Sequence, residues 1–304
     1  EPRQLMATLP YEIANINVVQ NDTGNTAASV TVTTDQATDD FLIRSGSNRG
    51  DVNIQIGASA ADDIAGGMLI TSVRENGRDN GEASGLTFAT SHVDGSGSGY
   101  FIPVSPAPAG GEYNTNLAAG YFPYDEGWIA AFIRNSSGTN GGANDQIFTG
   151  TPGLALGTHI IDNGGGITTV DLTSLGVNSQ STGVLLAVGA KNEDNYALSK
   201  ANPDGTWTIY NHDNGDQGAA YEQDPVGFVY FPNAAGYVSG RIDGNGRAIL
   251  ANGGFSVRPV AGTTGTIRLD IPGQTPTSGV LLISPEGGDT NNVDVHIAHL
   301  RAKI

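Results

Sequence analysis

Three stretches of this chain repeat one pattern: GGMLITSVRENGRDN at residues 66–80, TGVLLAVGAKNEDNY at 182–196 and SGVLLISPEGGDTNN at 278–292. Each runs from glycine through a short apolar segment into a polar turn with Asp or Asn. A short apolar run bounded by turn-forming residues is the pattern of a buried strand. Its recurrence is the strongest constraint in the sequence, because a repeated strand and turn implies a supersecondary unit built several times over.

The repetition extends to both sides. FLIRSGSNRGDVNIQI (41–56), THIIDNGGGITTVDL (158–172) and FSVRPVAGTTGTIRLDI (255–271) each read as strand, Gly-rich turn, strand, which is a β-hairpin. Downstream, GLTFATSHVDG (85–95) and GTWTIYNHDNG (205–215) are strands that reach a histidine and an acidic turn, and the third copy ends as VDVHIAHLRAKI (293–304). Strands ending in proline, MATLP (6–10), AGYFP (119–123) and FVYFP (228–232), are expected to open the three units. Helical periodicity is nearly absent. The expectation is an all-β chain of three tandem homologous β-sandwich or barrel-like units. Residues 1–98 would form the first with its N-terminal strand, 99–118 a linker or long loop, 119–225 the second and 226–304 the third.

Composition narrows the function classes. The chain has 14 Lys and Arg against 31 Asp and Glu, a formal charge of −17. A surface so acidic is unsuited to nucleic acid or to an anionic membrane, both of which require a basic face. No apolar run is long enough for a transmembrane helix, so membrane insertion is not expected. The 44 glycines among 304 residues have no collagen period and fit frequent turns. A start at Glu1, together with this Lys-poor, Gly- and Asn-rich composition, leads us to expect an extracellular or cell-surface protein whose signal peptide is removed.

Acidic turns are the first candidate sites. Asp79 and Asn80, Asp194 and Asn195, and Asp289 and Asn291 fall in equivalent loops after the repeated strand. Such oxygen-rich loops suit Ca2+, which takes six to eight oxygen ligands. The same residues also favour turns for backbone reasons, and none of the loops has EF-hand spacing. Of the histidines, His296 and His299 are three apart on an expected strand and so face opposite ways. The sequons at Asn21 and Asn135 are glycosylation candidates. RGD at 49–51 sits at a hairpin tip and reads as a turn. Trp128 and Trp207, the only tryptophans, lie within expected strands and read as core residues more than as sugar-stacking platforms. Neither a nucleophile elbow nor a paired carboxylate motif is found.

The segments LDIPGQTPTSGVLLIS (269–284) and DGTWTIYNHDNG (204–215) resemble the Gly/Asp-rich β-sandwich repeat modules of large secreted bacterial surface proteins. There, G-x-L-L strands follow I-P-G-x-T-P turns. The resemblance covers the second and third units best and brings no catalytic residues. It agrees with the reading the residues favour: a non-enzymatic structural subunit of a fibre, surface layer or matrix, self-associating into a homopolymer through β-edge or N-terminal strand contacts. A carbohydrate-binding or adhesion protein with glycan partners is the alternative, and a secreted polysaccharide-active enzyme the second.

Overall fold

The computed structural model describes residues 11–19, 29–35, 41–45, 52–56, 66–74, 87–89, 92–93, 100–102, 104–106, 116–134, 146–189, 195–213, 221, 223–234, 236–262, 266–275, 278–287 and 294–301. The chain is almost entirely β. The first strands are β1 (Glu12–Val19), β2 (Ser29–Asp35), β3 (Phe41–Ser45), β4 (Val52–Ile56), β5 (Gly67–Arg74), β6 (Thr87–Ala89), β7 (His92–Val93), β8 (Tyr100–Ile102), β9 (Val104–Pro106) and β10 (Asn116–Pro123). There follow β11 (Ile129–Arg134), β12 (Gln146–Gly150), β13 (Ile160–Asp162), β14 (Ile167–Val170), β15 (Gly183–Gly189), β16 (Asn195–Ala201), β17 (Trp207–Asp213) and β18 (Val226–Pro232). The last are β19 (Tyr237–Ile242), β20 (Ala248–Asn252), β21 (Ser256–Pro259), β22 (Ile267–Asp270), β23 (Gly279–Glu286) and β24 (Asp294–Arg301).

Three four-stranded antiparallel sheets form the frame, ordered β2-β1-β10-β5, β12-β11-β18-β15 and β20-β19-β24-β23. All three follow one connection rule. A hairpin supplies two strands, the last strand returns beside the first, and the repeated apolar strand takes the far edge. Their registers agree as well. Gly67 faces Pro123, Gly183 faces Pro232 and Gly279 faces Arg301. A bulge falls between Asn15 and Ile16, between Phe132 and Ile133, and between Arg241 and Ile242. In each sheet that bulge lies four residues beyond an aromatic: Tyr11, Trp128 or Tyr237.

AGYFP and FVYFP therefore sit mid-sheet, as β10 and β18, and MATLP lies outside the described residues. β10 is hydrogen-bonded to β1 and β5, and β18 to β11 and β15. The stretch 99–118, expected as a linker, holds β8, β9 and the first residues of β10. Its Pro-rich text hides strands because proline is tolerated at strand ends and edges.

All three sheets turn one face to a shared core. Met68 and Ile70 come from the first, Val184 and Leu186 from the second, Val280 and Leu282 from the third. Alternation in a strand sends i and i+2 to one face, so the repeated words GMLI, GVLL and GVLL place equivalent side chains at this centre. Trp128 anchors one end of it, with ring centroids 4.9 Å from Phe122, 5.3 Å from Phe231 and 5.9 Å from Tyr237. The edge-on contacts with Phe122 and Phe231 add to the area term. Small residues let neighbouring sheets close up. A Cβ on Gly120 would lie 2.9 Å from Leu282 Cδ1, and one on Gly227 would overlap the Met68 methyl.

Outward faces carry further sheets. β13-β14-β17-β16 covers the second frame sheet and encloses another core, with Trp207 and Ile209 against Leu185 and Phe228. Sheets β3-β4-β8-β7, β6-β9 and β21-β22 complete the set.

The repeated strands β5, β15 and β23 are sheet edges, and they meet one another. Ser72 Oγ accepts from Ile283 N–H at 2.8 Å and donates to Ile283 C=O at 3.0 Å. Ser284 Oγ does the same for Ala187, at 3.1 and 3.3 Å. Ser72 and Ser284 hold equivalent positions in the repeat, as do Ile283 and Ala187. The third position in this cycle is Val188, which has no hydroxyl, and Thr71 Oγ1 is buried without a hydrogen-bond partner.

Each clasp satisfies both polar groups of a buried peptide edge. Ser284→Ala and Ser72→Ala are therefore each expected to lower stability by about 1–3 kcal/mol, the cost of leaving such groups unpaired. Urea unfolding midpoints measure this. Gly183 abuts the Phe231 carbonyl oxygen and the Tyr230 ring, so any Cβ there collides with backbone. Gly183→Ala should cost at least as much, by about 1–3 kcal/mol of overpacking.

Candidate functional site

Most of the acidic-turn candidates lie outside the described residues: Asp79, Asn80, Asp194, Asp289 and Asn291. The glycosylation candidates Asn21 and Asn135 do so too. Asn195 opens β16, opposite Asp213 in the ladder. Among the described residues, no group of three His, Asp or Glu side chains converges in a way that could hold a metal ion. Trp128 and Trp207 are fully buried, at 0% exposure, so neither indole is open to stack on a sugar ring.

Two buried polar clusters within the described residues bear on function; the sequence marks the first by His212 and its acidic turn, and gives no sign of the second. The first surrounds His212. β17 carries it, and its register puts Tyr196 of β16 directly opposite. The two rings stack at 4.8 Å with planes 2° apart, and the Tyr221 ring meets the imidazole edge-on at 4.7 Å. Tyr210 flanks Tyr221 at 5.4 Å. Both imidazole nitrogens are buried without a hydrogen-bond partner. Burial holds the His212 pKa below its ordinary value, so the ring is neutral near pH 7. General-base work needs an orienting acceptor on one nitrogen and a reachable proton at the other. An imidazole enclosed between tyrosine rings fills space instead. The HD turn that could have marked this place in the sequence reads identically for a solvent-facing histidine, because stacking depends on the cross-strand partner.

The second cluster joins the third frame sheet to β16. Glu286 Oε1 accepts the Ala201 N–H at 2.9 Å, and Arg241 Nε lies 3.5 Å from Glu286 Oε2. Glu286 is 6% exposed. Charges this buried are tolerated when paired, and removing one partner is costly. Asn15 extends the same logic between the first and third sheets, donating to Gly279 C=O at 3.1 Å. These groups bind strands to strands.

Tyrosine hydroxyls behave likewise. Tyr230 donates to Thr182 at 2.8 Å, Tyr237 to the Pro232 carbonyl, and Tyr124 pairs with Thr149 at 3.0 Å. Burial pushes all three phenol pKa values up, so all stay protonated.

No family model matches the chain, and no curated protein or solved structure matches it either.

His212 gives a pH prediction. Its folded pKa lies below the unfolded value of 6.5, so the unfolded chain binds the proton first. The stability tied to the neutral ring is present above 6.5 and is lost as pH falls toward the folded pKa. Thermal midpoints should drop between pH 7.5 and 5.5, and His212→Phe should flatten that part of the profile.

Proposed function

We propose that this protein is a non-enzymatic structural subunit of an extracellular assembly, built from three tandem homologous β units and associating with copies of itself through sheet edges. The three units would close on their proline-ended or final strands, spanning residues 12–123, 129–232 and 237–301. What carries the reading is the repeated frame: one strand order, one ladder register and one bulge position in three sheets, with the repeated strands clasped at the centre. Duplicated sequence accounts for this economically, and tandem β units are a familiar way to build surfaces and fibres.

Other features agree. The aromatic residues with the most area to offer a ligand are spent on internal packing. The buried polar groups hold strands together. Each frame sheet keeps one outer edge, β2, β12 or β20, that pairs on a single side among the described residues. Edges of this kind accept added strands.

Negative-stain electron microscopy of the purified chain tests the proposal. Regular polymers or arrays are expected, and monodisperse monomers at all concentrations would reject it. Deleting residues 1–9 tests the variant in which the N-terminal segment pairs with a neighbour. That deletion should abolish assembly, and unchanged polymers would exclude the N-terminal route.

A further inference from the structure

The third unit is built less fully than the second. In the second, the outward residues Leu185 and Ala187 of β15 are 0% and 7% exposed beneath the four-stranded sheet β13-β14-β17-β16. Their counterparts on β23 fare differently: Leu281 is only half-buried and Ile283 is 41% exposed. The additional sheet in this part of the chain has two strands, β21 and β22, and Phe255 just before it packs against Gly240 of β19. The missing part corresponds to the hairpin β16–β17. It has no room in this chain, because residues 287–293 alone join β23 to β24, whereas 190–225 join β15 to β18.

Among the described residues, β22 pairs only with β21. The hydrogen-bond phase shows which groups face the other way. Val260 N–H donates to Thr266 C=O at 3.0 Å. Alternation in an antiparallel ladder then places exchanged bonds at Arg258/Arg268 and Ser256/Asp270. The N–H and C=O groups of Ile267 and Leu269 point to the open edge. On the opposite edge, Pro259 has no N–H to offer, which blocks strand addition to β21.

We infer that this half-sheet is completed by the same half-sheet of a second copy, joined β22 to β22 about a two-fold axis. The inference rests on the self-association proposed above and names its surface. The chain's own geometry supplies the precedent. In the second unit, β14 and β17 are each the second strand of a hairpin, and they pair antiparallel, from Ile167 facing Tyr210 to Val170 facing Trp207. Two β21–β22 hairpins related by a two-fold axis meet in that way and make a four-stranded sheet. The second hairpin would lie over Leu281 and Ile283, where β16–β17 lies over Leu185 and Ala187.

Charge selects the register. Leu269 and Ile267 are half-buried on the inward side, while Arg268 is exposed and Asp270 lies on its face of the strand. Only registers that match inward to inward are usable. Centring on Arg268 sets it against Arg268 of the second copy, and centring on Ile267 sets Arg268 opposite Thr266, with no charge pair. Centring on Leu269 brings Arg268 opposite Asp270 of the second copy, twice by symmetry. Opposite charges directly across a ladder stabilise and like charges do the reverse. The surroundings favour a close approach of two copies. Residues 237–304 hold six of the 14 Lys and Arg and five of the 31 Asp and Glu, so the third unit escapes the repulsion of the acidic remainder.

Sedimentation velocity on the full chain tests this. Arg268→Asp and Asp270→Arg should each weaken pairing at least about tenfold, since both cross-strand pairs become repulsive. An equimolar mixture of the two variants should pair again, because both contacts are then complementary. Leu269→Pro, which removes an N–H unused within the hairpin, should abolish pairing without lowering the melting temperature. Variants that associate like the wild type, or a folded mixture that fails to recover, would overturn the inference. If wild-type polymers persist unchanged in Arg268→Asp, this edge is excluded while the structural proposal stands. A wild type that remains monomeric removes both.

Discussion

Three sheet edges turned toward one another hold this molecule together. An edge strand presents a row of unpaired N–H and C=O groups, which is costly to bury and hazardous to expose. Here β5, β15 and β23 are brought edge to edge around the common core, and serine hydroxyls take the place of a ladder. One hydroxyl acts as donor and acceptor for a single peptide edge, so a junction between sheets that do not continue into each other is still satisfied. The apolar faces of the same strands drive the arrangement. Met68, Val184 and Val280 are all at most 1% exposed, which gives the core its area term, while the serines give it direction.

The clasp also explains which residues are small. Where β10 and β18 run through the middle of their sheets, Gly120 and Gly227 admit Leu282 and Met68 from the neighbouring sheet. Glycine inside a strand normally weakens it, and it is justified where another element approaches closely. The cyclic character is imperfect. Two of the junctions carry serine; the equivalent position on β15 is Val188, and on β5 the Thr71 hydroxyl is buried without a hydrogen-bond partner. Glu286 also marks one junction: it pairs with Arg241 inside the third frame sheet and accepts the Ala201 N–H of β16. Such differences distinguish one sheet junction from another, which identical interfaces could not do.

Much of this was legible in the sequence at the level of strands. The repeated words GMLI, GVLL and GVLL open β5, β15 and β23, and the flanking hairpin words are β3–β4, β13–β14 and β21–β22. Partners were not legible. AGYFP and FVYFP read as unit openers because period-two alternation gives a strand and its faces but says nothing about which strand lies beside it. Their ladders run to β1 and β5, and to β11 and β15. Ser72 and Ser284 were invisible for the same reason, since their acceptors lie 211 and 97 residues away. Trp128 was placed in a core correctly from its strand context, but its neighbours Phe122, Phe231 and Tyr237 come from all around the frame. The acidic turns drew attention because Asp and Asn are easy to see. His212, with its tyrosines, shows up only once cross-strand register is known.

The second and third frame sheets differ in how their outer faces are covered. The second lies beneath the sheet β13-β14-β17-β16, whereas on the third Ile283 is exposed and β22 pairs only with β21 among the described residues. Shortening the β23–β24 connection to residues 287–293 deletes one hairpin and creates both features at once. A deletion that merely exposed apolar surface would be a liability. In the proposed pairing, the β22 edge would match its own copy in backbone phase and in charge, while Pro259 closes the β21 side. The short β23–β24 connection and the proposed contact for a second copy would then have one origin.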